Sequence, residues 1–275
     1  MKYKLLADSG ANLTTFPGID FTNIPLSIMA DKEYFDDQEL DVEEMTNTLK
    51  TLNEKTSTAC PNIGQWLNAF EGGDIIVAIT VTGELSGSYS SAIRAKEQYL
   101  EDHPEAKILV IDSRSAGPRM ELLAYKAAEL FEKQASFEEI TTKLLEYRQK
   151  TGLLFSLKSL TNLVNNGRVS KTAAKISGIL NLRIIGTDTD GKLAPLTKAR
   201  GQSKTLKAIL KEMEEQDFNG KEVCIAHCFD QASAEALQEM ILAKYPTCQI
   251  TITKTRGICS YYAEVGGLMV GFEKN

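Results

Sequence analysis

The stretch that most constrains this chain is Asp74–Thr80, which reads Asp-Ile-Ile-Val-Ala-Ile-Thr. A strand with one wet face alternates apolar and polar residues. A continuous apolar run has no wet face, and it predicts a parallel strand covered by helices on both sides. The neighbouring segments supply the covers. Strand signals at Tyr3–Ala7, Ile24–Met29 and Lys107–Ile111 alternate with helical periodicity over Val42–Leu52, Pro61–Phe70, Tyr89–Leu100 and Met120–Lys133. Strands alternating with helices imply right-handed βαβ crossovers, so residues 1–150 are expected to form a parallel three-layer α/β/α domain. Open sheets of this kind bind ligands beyond the carboxyl ends of their strands. Two of the strands end there in Asp-Ser, at Asp8-Ser9 and Asp112-Ser113.

The second half has another rhythm. A helix over Phe137–Lys150 leads into a strand at Leu153–Leu157, with short helices expected at Leu160–Asn165 and Thr172–Leu180. Strands at Leu182–Ile185 and Lys192–Thr197 flank Asp188-Thr189-Asp190-Gly191, a hairpin-turn sequence. Helices at Ser203–Gln216 and Ser233–Lys244 then alternate with strands at Glu222–His227 and Gln249–Thr253, and Gly266–Phe272 closes the chain as a Gly-rich strand. These mixed signals predict a smaller α+β domain with a mixed sheet over residues 151–275.

Composition narrows the function classes. With 31 Lys+Arg against 37 Asp+Glu, the net charge of −6 and the absence of a basic tract argue against nucleic acid. No apolar run approaches the ~20 residues of a membrane span. Five cysteines, an odd number in a chain of 275 residues, and an N-terminus that meets Asp8 before any apolar leader region predict a reduced, cytoplasmic protein.

Several apparent motifs dissolve. Gly186–Lys192 copies most of a phosphate-binding loop, but Leu193 stands where a magnesium-binding hydroxyl is needed, and two aspartates would face the phosphates. Cys224, His227 and Cys228 fall on one strand, where Cys224 and Cys228 point one way and His227 the other, so no metal site is expected. Two histidines in the whole chain leave little material for a His-based triad.

What survives is a pair of helix starts. Thr58-Ala59-Cys60-Pro61-Asn62 precedes Ile63, Trp66, Leu67 and Phe70, spaced as one helix face, which places Thr58 just outside a helix N-terminus. Leu85-Ser86-Gly87-Ser88-Tyr89 follows the Asp74–Thr80 strand, with Ser86 or Ser88 able to cap the next helix and Gly87 allowing close approach of a ligand. Each hydroxyl alone reads as a cap. Two such starts at one sheet edge point to an anion, and the lack of fixed cations in either loop favours a single carboxylate over a polyphosphate.

At these loops the sequence resembles the DegV family of bacterial fatty-acid-binding proteins, along essentially the whole chain. The opening strand with Asp8-Ser9, the loop Thr58–Asn62 and the segment Leu85–Ala92 each match a family motif. So do Asn166-Gly167-Arg168-Val169-Ser170, Lys198-Ala199-Arg200-Gly201 and the ending Gly266–Phe272. The resemblance implies a two-domain fold with a long-chain fatty acid between the domains, its carboxylate held by Thr58 and Ser86. It implies no cofactor or metal, and delivery of the fatty acid to a separate kinase subunit that makes the acyl phosphate. Tyr262 stands where many members carry His, and a phenol does not become cationic near neutral pH. Gly87, Ser88, Tyr262 and Arg200 are supporting candidates. Arg168 and Arg200 could steer a partner or serve as structural ion-pair partners. Trp66, Phe70 and Tyr89 line an acyl tunnel or pack in the core. The competing hypotheses are an enzyme acting on a small carboxylate or phosphate through Ser86 or Asp112, and an interaction protein that keeps lipid only to stabilise its fold.

Overall fold

The computed structural model describes residues 2–30, 33–38, 40–52, 55–170 and 181–275. Strands β1 (Tyr3–Asp8), β2 (Phe21–Ile24), β6 (Ile75–Thr80) and β7 (Lys107–Asp112) form a four-stranded sheet of order β2-β1-β6-β7, parallel throughout. All six residues of β6 are buried, as its apolar run requires. One face of this sheet carries α2 (Ile63–Phe70) and α3 (Ser88–Asp102), which bury Trp66, Phe70 and Tyr99 against Leu6, Ile76 and Ala78. The other face carries α4 (Pro118–Glu132) and α5 (Phe137–Gln149), with Met120, Leu123 and Ala127 over Leu5, Val77 and Ile79.

A six-stranded sheet is built from β8 (Thr151–Leu157), β9 (Leu182–Thr189), β10 (Lys192–Arg200), β11 (Phe218–His227), β12 (Gln249–Lys254) and β13 (Leu268–Lys274). Its order is β10-β9-β8-β13-β11-β12, antiparallel except for the parallel pair β11–β12. Asp190 and Gly191, both at positive φ, make the hairpin turn between β9 and β10, so the phosphate-loop lookalike is a hairpin. Helices α7 (Gln202–Glu215) and α8 (Gln231–Lys244) cover one face; α6 (Thr161–Asn165) lies after β8. The expected helix Thr172–Leu180 lies outside the described residues.

The chain departs from the expectation in a small third sheet and in a short helix. The single strand predicted over Ile24–Met29 is two strands in two sheets, because Pro25 cannot donate to a ladder and breaks the run. Its second part, β3 (Ser27–Ala30), pairs antiparallel with β4 (Glu33–Asp36) and β5 (Thr56–Ala59) in a third, three-stranded sheet. The unexpected helix is α9 (Gly257–Ala263). This small sheet does not pack with the parallel one. Leu26, Ile28 and Met45, the last on α1 (Val42–Thr51), join Phe155, Leu157, Ile258 and Met269 in one core. The segment from Leu26 to Ala59 therefore packs against the six-stranded sheet rather than the parallel one.

Helix α4 lies between the two large sheets and touches β1, β6, β8, β11 and β13. Arg119 on α4 reaches Asp188 of β9 at 2.7 Å, with both side chains largely buried, and also donates to Thr151 Oγ1 at 2.9 Å and the Arg148 carbonyl at 2.6 Å. All five cysteines are free, and only Cys60 is exposed. Among the described residues, no helix is long and apolar enough to cross a membrane.

Candidate functional site

The parallel sheet winds one way from β1 to β2 and the other way to β6, so the carboxyl ends of β1 and β6 flank its switch point. Asp8, the last residue of β1, is fully buried there. Its carboxylate accepts from the amides of Val81 (2.9 Å) and Gly10 (3.1 Å) and from Ser88 Oγ (2.5 Å). Burial pushes its pKa up to about 6, against the pull of the Ser88, Val81 and Gly10 hydrogen bonds. Asp8 thereby ties the start and the end of the loop 81–87 to β1. Within that loop Ser86 Oγ accepts from the Ser88 amide at 3.2 Å, which leaves the Ser86 O–H free to donate. Ser88 is buried and committed to Asp8, so it supports the loop from behind. Gly87 has ordinary αR backbone (φ −73°), and its lack of a side chain serves a close approach: a Cβ would lie 2.9 Å from Cys60 Sγ.

Thr58 does not flank a helix start. Helix α2 begins at Ile63, capped reciprocally by Asn62 and Gln65, and Pro61 lies outside it. Thr58 sits instead on β5, opposite Ile28 of β3. Its hydroxyl is hydrogen-bonded to the Tyr262 hydroxyl at 2.8 Å, and Thr56 is bonded to Tyr261 in the same way at 2.5 Å. Helix α9 presents both tyrosines. Its first amides, those of Gly257 and Ile258, donate to the Asp37 carboxylate at 2.8 Å each, which satisfies two of the donors any helix start leaves unpaired. Burial raises the Asp37 pKa to about 6, opposed by those amides and by Arg256. Glycine is required at 257, because a Cβ would come within 2.8 Å of the Asp37 carboxyl and of Leu40.

These walls enclose a cavity of ≈330 Å³. Most of its lining is apolar: Leu26, Val81, Leu85, Phe155, Leu157, Leu163, Leu193, Ile258 and Met269, with Gly10, Ala59, Ala116 and Ala263 filling the gaps. The polar lining side chains are Thr58, Ser86, Tyr262 and Arg168, besides the thiols of Cys60 and Cys259. Burial keeps the Tyr262 phenol above its ordinary pKa, although Thr58 and the positive charge of Arg168 pull it down, so it remains a neutral donor. Arg168 donates through Nε to the Leu85 carbonyl (3.0 Å) and through Nη1 to the Asn166 carbonyl (2.5 Å), linking the loop after α6 to the Ser86 loop.

The remaining candidates lie elsewhere. Arg200 is exposed at the end of β10, opposite Leu182, and does not line the cavity. Asp112 lies outside the lining too; its carboxylate accepts from the amides of Arg114 (2.8 Å) and Gly83 (3.4 Å). Trp66 and Phe70 are buried on the α2–α3 face of the parallel sheet, and Tyr89 packs against that cluster. Cys224 and Cys228 are buried in β11 and just after it, in separate clusters, and among the described residues no group of acids, cysteines and histidines could hold a metal. Sequence reasoning missed Phe155, Met269 and Cys259 as lining residues, since each reads as ordinary core. The site offers a mostly apolar cavity with three neutral hydroxyls and a guanidinium in its lining. Among the described residues, no Asp, Glu or His lines the cavity beside Ser86.

Comparison with known proteins agrees with this geometry. The sequence profile of the DegV family, described as uncharacterised proteins, matches residues 2–275. A DegV domain-containing protein of Streptococcus pneumoniae is 40% identical over 279 residues, covering 99% of each chain. The crystal structure of the S. pneumoniae fatty acid kinase B3 protein loaded with linoleic acid superposes with a TM-score of 0.98 at 40% identity, over 100% of both chains. A Eubacterium eligens DegV family protein loaded with heptadecanoic acid gives 0.97 at 38% identity, over 99% of this chain and 100% of that one. The chain belongs to the DegV family.

Proposed function

We propose that this protein binds one long-chain fatty acid between its two units, residues 1–150 and 151–275, and carries it in the cytoplasm to a fatty acid kinase subunit. The carboxylate is held by the hydroxyls of Thr58 and Ser86, while the Tyr262 phenol donates to Thr58 Oγ1 and so leaves the Thr58 O–H free for the carboxylate. The observation that carries this reading is the distribution of polarity in the cavity. Its lining is apolar apart from the thiols of Cys60 and Cys259 and the side chains of Thr58, Ser86, Tyr262 and Arg168; Thr58 and Tyr262 are hydrogen-bonded, and Arg168 is bonded to the loop that carries Ser86. Burying an acyl tail contributes ~0.8 kcal/mol per methylene, so the slot supplies affinity. A buried carboxylate left without partners would be costly, and the hydroxyl cluster supplies partners without a fixed charge in direct ion-pair contact. The E. eligens and S. pneumoniae structures, solved with heptadecanoic and linoleic acid, share the fold at 38% and 40% identity and support a fatty acid as the ligand. The name of the S. pneumoniae protein supports a kinase as the destination.

In this reading the protein does no bond chemistry. It shields the tail and presents the head group, and the phosphoryl transfer belongs to the partner. Titration of a fluorescent long-chain fatty acid into the Thr58→Ala, Ser86→Ala double variant tests the head-group assignment. Two hydrogen bonds to a charged group, at roughly 1.5 kcal/mol each, predict an affinity loss of about a hundredfold or more in a folded protein. Unchanged affinity would refute it.

A further inference from the structure

Among the described residues lining the cavity, Met269 is the only unbranched apolar side chain with several free torsions. The other apolar lining residues are branched, aromatic or small, and their shapes are fixed by at most two torsions. Met269 sits on β13, with Phe155 of β8 as its paired neighbour, so its backbone is held in the middle of the six-stranded sheet. The side chain itself is buried. It rests on Gly117, which precedes α4 at a φ of +59°, and a Cβ there would lie 2.7 Å from Met269 Cε and 3.2 Å from Sδ. Gly117 is itself fixed, its amide donating to the Gly10 carbonyl at 2.7 Å. The missing side chain at 117 therefore makes a seat for the thioether, behind a wall section lined by Gly10 and Ala116.

From this arrangement we infer that Met269 is the residue that sets which acyl tails the cavity accepts. It acts as a movable wall: seated on Gly117 it leaves room for the tail, and swung into the cavity it fills the space of a shorter one. The inference rests on the fatty-acid reading given above. Its physical basis is that protein interiors are close-packed, so tail volume and wall volume must sum to the same total. A thioether adjusts to irregular space at lower cost than a branched side chain. The prediction is a specificity effect with head-group binding untouched, because Thr58, Ser86 and Tyr262 lie on other elements.

The experiment is a competition between free fatty acids of graded length and unsaturation for the purified protein, with the bound set extracted and weighed by mass spectrometry. Met269→Ala should move the preferred tail toward longer or more kinked acids by about three chain atoms, the number removed from the side chain. Met269→Phe should move it toward shorter ones. Met269→Leu, which keeps the volume but loses the adaptability, should narrow the accepted range. Thermal melts identify any variant that fails to fold, and the other two then carry the test. Folded variants that all select the same acids as the parent would overturn the role of Met269 while leaving fatty-acid binding intact. A parent that binds none of the acids would overturn the function itself, and this inference with it.

Discussion

Two strands deliver the two proposed carboxylate ligands, and they are built by opposite means. Strand β6, which leads into the Ser86 loop, is buried along all six residues and is flanked by parallel partners. Strand β5, which carries Thr58, is four residues long with no fully buried residue, and it lies on the edge of a three-stranded sheet. The first is stable because of its own sequence. The second is held in place by others: β3 through its ladder, and Tyr261 and Tyr262 through hydroxyl bonds to Thr56 and Thr58. One wall of the site is thus scaffold, and the other is a lightly held flap whose position depends on α9.

That contrast sets the expected order of perturbations. Ile76→Ala in β6 removes a fully buried side chain from the core and should cost about 2–5 kcal/mol of stability, read by denaturant unfolding, with ligand affinity of the folded fraction unchanged. Asp37→Ala leaves the Gly257 and Ile258 amides buried without an acceptor. It should cost about 1–3 kcal/mol and weaken fatty-acid binding as well, because α9 positions Tyr262. Tyr262→Phe deletes only the hydroxyl bonded to Thr58, so a loss of about 1 kcal/mol in binding and little change in melting temperature are expected. A Tyr262→Phe variant that loses more stability than Ile76→Ala would reverse the comparison.

Three buried acids add a dependence on pH. Burial raises Asp8 and Asp37 from 3.8 to about 6 and Glu121 from 4.5 to about 7. Between those limits the folded protein holds more protons than the unfolded chain, so its stability falls as pH rises from about 4 to about 7 and levels off above. Each group contributes a slope of at most ~1.4 kcal/mol per pH unit. Melting temperatures across this range should show the decline. Glu121→Gln should flatten its upper part, where Asn12 and Thr253 are the carboxylate's hydrogen-bond partners. Stability that rises between pH 5 and 7 would contradict the assignment.

The sequence made the scaffold legible and hid the flap. The apolar run of β6 and the periodicity of α2, α3 and α4 are local signals, and each element appears within two or three residues of its expected ends. Thr56–Ala59 carries no such signal, because its strand character comes from pairing with residues almost thirty positions away. Gly257–Ala263 reads as coil for the same reason: the acceptor for its first amides is Asp37, 220 residues distant. Neighbouring motifs and the family resemblance point to Thr58 and Ser86 in the sequence, but Thr58 lies on a strand and not beside a helix start. Arg168 shows the limit most clearly. Its place at the cavity follows from a bond to the Leu85 carbonyl, 83 residues away, which no pattern around Asn166-Gly167-Arg168 encodes.

The central claim is that the cavity holds an exchangeable fatty acid. Native mass spectrometry of the freshly purified protein, followed by incubation with an isotopically labelled long-chain fatty acid, tests it most directly. The account predicts one bound acid per chain, replaced by the labelled one. A protein that stays empty in the presence of excess fatty acid would contradict the binding site, and a bound acid that never exchanges would contradict a carrier.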